Sequence, residues 1–114
     1  MKHEQLTQLI SELKKTSIEE KVRIWKRVAS DLEKSTRRRR QVNIYRIEKN
    51  AKPNEIIVVP GKVLGSGELT KTVVVAAFNF SDSAYQKIKI KGQALSITEL
   101  LKKNPQGKKV RIIG

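Results

Sequence analysis

The run Thr72–Phe80, TVVVAAFNF, is the strongest strand signal in the chain, and its reading sets the fold. β-branched and aromatic residues dominate it, and it is apolar on both faces, which places it inside a sheet covered on both sides. Upstream, Glu55–Val59 (EIIVV) follows the turn signal Pro53-Asn54 and reads as a buried strand broken by Pro60-Gly61. Downstream, Ser81 or Asp82 can cap a helix over about 82–90 that Gly92 stops, although Lys87–Lys91 also alternates like a strand. Ser96 and Glu99 form a capping box, each side chain meeting a free N–H at the start of a helix through Leu100 and Leu101. Asn104-Pro105 and Gly107 end that helix, and Val110–Ile113 makes a last strand.

The first third is helical. Leu6, Leu9, Ile10 and Leu13 fall at i, i+3, i+4 and i+7, one face of a helix over roughly residues 3–15. Ser17 and Glu20 suggest a second capping box, opening a helix to about Glu33 with Ile18, Val22, Trp25, Val28, Ala29 and Leu32 on one stripe. Trp25 lies in the middle of that stripe, which reads as core rather than as a platform for stacking bases. Beyond Lys34 the tract STRRRR carries no apolar residue, and Val42–Ile47 alternates like a strand or opens a helical turn through Ala51. Interleaved strands and short helices behind a helical hairpin point to an α/β or α+β body, taken here as α/β. At 114 residues the chain fits one domain: hairpin 1–33, basic junction 34–41 and body 42–114.

Charge narrows the function. Lys and Arg number 25 against 11 Asp and Glu, a formal net charge of +14. So large an excess on a small body repels itself, and a polyanion that neutralises it removes the penalty. There is no long basic amphipathic helix with a broad apolar face, no apolar run of membrane-spanning length and no signal-peptide order in MKHEQLTQLI. A soluble, cytoplasmic protein that binds nucleic acid is expected. No cysteine is present, which excludes disulfides, thiolate metal sites and a cysteine nucleophile, and the lone His3 has no second ligand for zinc.

PGKVLGSGELTKT, residues 60–72, has the look of a phosphate loop behind a strand. Spacing rejects the nucleotide motifs. From Gly61 the sixth position is Ser66, no Gly-Lys-Ser/Thr triplet exists, and Gly65-x-Gly67 is followed by Thr70 where a dinucleotide loop needs glycine. An enzyme, a cofactor and a small-molecule substrate are therefore not expected. The glycines alone could simply turn the chain.

Contacts to a nucleic-acid backbone are well supplied. Lys34, Arg37, Arg38, Arg39, Arg40, Arg46 and Lys49 stand against the single acid Glu48, and Lys102, Lys103, Lys108, Lys109 and Arg111 against none. The loop adds Lys62 and Lys71 around Gly65, Ser66 and Gly67. Arginine grips phosphate with a planar fork where lysine offers a point charge, although Arg37–Arg40 also fits a solvated linker or a localisation tract. With Phe78 and Phe80 inside the main strand, the aromatic sheet of single-strand RNA readers is missing, and no helix has a recognition face for the major groove. Folded RNA read by shape and backbone fits best, with an architectural DNA-binding protein as the alternative. Residues 61–71 are expected to be mobile until RNA orders them.

The chain also resembles the eighteen-e family of archaeal and eukaryotic large-subunit ribosomal proteins, whose core is similar to the C-terminal domain of a bacterial large-subunit protein. The resemblance rests on Val42-Asn43-Ile44 with Arg46-Ile47-Glu48, on VVPGKVLGSGEL (58–69), and on Phe80-Ser81 with Ala84, Lys87-Ile88 and Gly92. It continues through Ala94-Leu95-Ser96, Asn104-Pro105 with Gly107, and Val110-Arg111-Ile112. Lys91-Gly92-Gln93 departs from it, since many members have a glycine pair there. The resemblance implies an irregular layered fold of strands and short helices, a structural role on large-subunit rRNA beside neighbouring ribosomal proteins, and no cofactor. By position it also implies RNA-facing roles for Arg37–Arg40, Asn43, Arg46 and Lys62–Gly67.

Overall fold

The computed structural model describes residues 2–34 and 39–114. Its elements in chain order are α1 (Lys2–Glu20), α2 (Ile24–Leu32), β1 (Arg40–Asn43), α3 (Ile44–Asn50), β2 (Ile56–Leu64), β3 (Val74–Phe80), α4 (Asp82–Lys91), β4 (Gln93–Ser96), α5 (Ile97–Lys103) and β5 (Val110–Ile112). The α/β reading is borne out.

All strand pairs are parallel, in the order β1-β2-β3-β4, with β5 also on β2. β5 pairs with Ile56–Val58 and β1 with Gly61–Leu64, so the two lie end to end along the edge of β2 opposite β3. Alternation along the strands sorts the core into two layers. Ile57, Val59, Val75 and Ala77 face α3 and α4, through Ile44, Ile47, Ala84 and Ile88. Val58 and Ala76 face α1, α2 and α5, through Leu13, Trp25, Val28, Leu100 and Leu101. The connections from β1 to β4 advance across one face. The α5 return to β5 runs back over the other, as a constant crossover hand requires.

Several boundaries differ from the sequence reading. α1 runs through Thr16-Ser17, and the Ser17–Glu20 capping box does not form: Ser17 Oγ donates instead to the Val22 carbonyl. The chain turns at Lys21, φ 56°, and Ile18 is left 77% exposed. Beyond Leu13 the positions continuing the apolar stripe are Thr16, Ser17 and Glu20, so nothing anchors the last turns of α1 to the core. Trp25 is fully buried as expected, and its Nε1 donates to the Pro105 carbonyl at 2.7 Å.

Pro60-Gly61 does not break the strand. The register against β3 slips between Val59 and Lys62, a bulge that absorbs one extra residue. On the other edge Pro60 falls between the ends of β5 and β1, where no ladder bond is needed from its missing N–H. Gly61 lets β1 come close: a Cβ there would stand 2.0 Å from the Arg40 carbonyl oxygen. The sequence reading lacks β4, because its four residues lie between two correct helix signals, the Gly92 stop and the Ser96–Glu99 capping box. Ser81 caps α4 by accepting from the Ala84 N–H at 3.2 Å.

Candidate nucleic-acid interface

The glycine-rich segment is a crossover rather than a loop at the end of a strand. Gly61–Leu64 belong to β2, and residues 65–73 carry the chain back from its end to the start of the parallel β3, a connection usually made by a helix. The segment lies in the groove between α3 and α4. Leu69 and Val73 enter the core there.

Its polar groups turn inward. The Ser66 N–H donates to Asn43 Oδ1 at 3.2 Å, and the Ser66 carbonyl accepts from the Tyr45 N–H at 2.9 Å, which satisfies the start of α3. Lys87 reaches across from α4 and donates to the Gly65 and Gly67 carbonyls, both at 2.6 Å. Gly67 has φ 105°, and a Cβ on it would meet the Tyr45 backbone nitrogen at 2.6 Å. At the far end, Lys71 Nζ donates to the Glu48 and Ala51 carbonyls at 2.6 and 2.8 Å and so closes the C-terminus of α3. The Glu48 carboxylate accepts from the Thr70 hydroxyl and N–H and from the Lys71 N–H. Those bonds, the Thr70 hydroxyl foremost, hold its pKa below the ordinary 4.5. The stretch expected to be mobile is thus tied to both helices within the chain itself.

The other expected contacts divide in two. Arg39 Nε donates to the Leu32 and Lys34 carbonyls at 3.2 Å, with its guanidinium 5.9 Å from the Phe78 ring centre. Arg40 Nε faces the buried Asp31 carboxylate at 3.4 Å, and Asp31 also pairs with Lys34. Arg111 forks onto Glu55, Nε to Oε2 and Nη2 to Oε1 both at 2.9 Å, and also donates to the Asn50 carbonyl. Burial opposes ionisation of Glu55, yet the Lys52 N–H and Arg111 outweigh it and hold the carboxyl below its ordinary range. Arg46, Lys49, Lys62, Lys108 and Lys109 are exposed, with no side-chain partner among the described residues. Arg37 and Arg38 lie outside the described residues.

Two cations escaped the sequence reading. Arg23 and Arg27 are exposed around the first turn of α2 and have no partner among the described residues. With Arg40, Arg111, Ile24, Val110, Ile112 and Gly114 they line a groove of about 520 Å³ beside the β5–β1 edge. The signal was their i, i+4 spacing on the side of the helix away from Val28 and Leu32.

Comparison with known proteins agrees with this chemistry. Residues 4–95 match the family described as the ribosomal proteins 50S-L15 and 50S-L18e with their 60S counterpart. The chain is 50% identical to the large ribosomal subunit protein eL18 of Methanoregula boonei, over 95% of this chain and 90% of the relative. Identity to the eL18 of Archaeoglobus fulgidus is 50%, and to that of Haloarcula marismortui 45%, each over 95% of this chain and 93% of the relative.

Proposed function

The chain belongs to the family of large-subunit ribosomal proteins that includes 50S-L15 and 50S-L18e, and from that premise we propose that it is a structural constituent of the large ribosomal subunit. It acts as one domain in the cytoplasm, without catalysis, binding folded large-subunit rRNA and neighbouring ribosomal proteins. The observation that carries this reading is identity of about one half to archaeal eL18 proteins across nearly the whole chain.

The structure supports a division of labour among the cations. Lys71, Lys87 and Arg39 stabilise the protein by closing backbone carbonyls. Arg46, Lys49, Lys62, Lys108 and Lys109, with the Arg37–Arg38 tract, are left to neutralise phosphates, each counterion released adding to affinity. Asn43 and Gly65–Gly67 act indirectly, by fixing the crossover that Lys62 precedes.

A salt titration of binding to structured large-subunit rRNA and to duplex DNA of the same length tests the reading. Tighter binding to the rRNA at every salt concentration is expected. Equal affinity for both would favour an architectural DNA-binding protein instead.

A further inference from the structure

The groove beside α2 adjoins a second one. Lys52, Pro53, Asn54, Glu55, Lys109, Val110 and Arg111 line a depression of about 420 Å³ at the start of β5, so Arg111 and Val110 form the ridge between the two. Around this continuous edge the acids are already engaged. Asp31 is buried against Arg40 and Lys34, and both oxygens of Glu55 are held by Arg111. No acid lines the α2 groove, whereas four arginines do. Guanidinium groups so placed repel one another unless an anion lies between them.

Arg111 and Arg40 are also positioned in advance. The fork onto Glu55 fixes the Arg111 plane, and Asp31 holds Arg40 Nε while its terminal nitrogens have no partner among the described residues. Less side-chain freedom is then lost when a phosphate arrives. Arg23 and Arg27 supply mobile, unpartnered forks across the groove from them.

We propose that this edge, formed by β5, the start of β1 and the first turns of α2, is an rRNA-binding surface that seats a phosphodiester backbone between Arg23 and Arg27 on one side and Arg40 and Arg111 on the other. The inference rests on the ribosomal reading and specifies which surface carries it. Lys52 and Lys109 extend the track into the second groove.

The test compares two doublets that remove equal charge from the full chain: Arg23→Ala with Arg27→Ala, and Lys89→Ala with Lys91→Ala on α4, beside the opposite edge of the sheet. Each is titrated with salt against transcribed large-subunit rRNA. The arginine doublet is expected to lower the slope of log affinity against log salt by about 1.4 to 1.8, two phosphate contacts, while the lysine doublet leaves it nearly unchanged. An unchanged slope in the arginine doublet, with the unaltered chain still preferring rRNA, overturns the surface and leaves the function standing. Equal losses in both doublets overturn it too, since net charge alone would then account for binding. Failure of the unaltered chain to prefer rRNA over duplex DNA removes the ribosomal reading and this inference with it.

Discussion

The glycine-rich crossover and the β5–β1 edge with its neighbour α2 exchange the roles their sequences suggest. The crossover has the glycines, hydroxyls and lysines of a phosphate loop, yet its Ser66 and Thr70 N–H groups and its Lys71 ammonium bind α3, and Lys87 of α4 binds its carbonyls. α2 reads as a core helix built around Trp25, yet it carries two unpartnered arginines above a groove without acids. A cation is available to a ligand only if the fold leaves it unpaired. Composition counts both kinds alike.

If the crossover is structural, substitutions in it act on stability. The largest effect is expected for Gly67→Ala. A φ of 105° is strained for any side chain, and the new Cβ meets backbone and Cβ of Tyr45 at 2.6 Å with no flexible group to yield. A loss of about 3 kcal/mol in urea denaturation follows. A loss below about 1 kcal/mol would mean that the segment is not seated on α3.

Lys71→Met comes next. It removes two charge-assisted bonds to the carbonyls of Glu48 and Ala51, at a cost of about 2 kcal/mol, while leaving the salt slope of rRNA binding as it was. A slope lowered by about one would instead make Lys71 a phosphate ligand and dissolve the contrast between the two regions. On the edge the pattern reverses. Arg23→Ala with Arg27→Ala should stay within about 0.5 kcal/mol of the parent in stability, because both side chains are exposed and unpartnered. A larger loss would show that these arginines support α2 rather than a ligand.

What could be read from the sequence was local. Ser81 and the Ser96–Glu99 box announced α4 and α5 because a cap involves residues three apart, and the apolar run of β3 needed no partner to be recognised. Contacts distant along the chain stayed hidden. Pro60 is tolerated because β5 and β1 leave a gap beside it, a fact that depends on segments far before it and far after it in the chain. Lys71 looked like a ligand because nothing near it in sequence shows that the end of α3 lies within its reach. Arg23 and Arg27 were passed over because attention went to the apolar side of their helix, and the groove they face is completed only by β5.

The smallest effect concerns Glu48, at the junction of α3 and the crossover. Its folded pKa lies below 4.5, so its charge contributes stability that is fully present above the unfolded value and is lost as pH falls through the folded one. Glu48→Gln can keep an acceptor for the Thr70 N–H and hydroxyl but has no charge to lose. The variant should therefore be less stable than the parent near neutrality, and the difference should close as pH falls below 4.5 in parallel urea titrations. Glu55 and Glu99, also held below their ordinary range, titrate in both proteins and drop out of the comparison. A difference that persists unchanged in acid would show that the geometry of the Thr70 bonds, and not the carboxylate charge, anchors the crossover to α3.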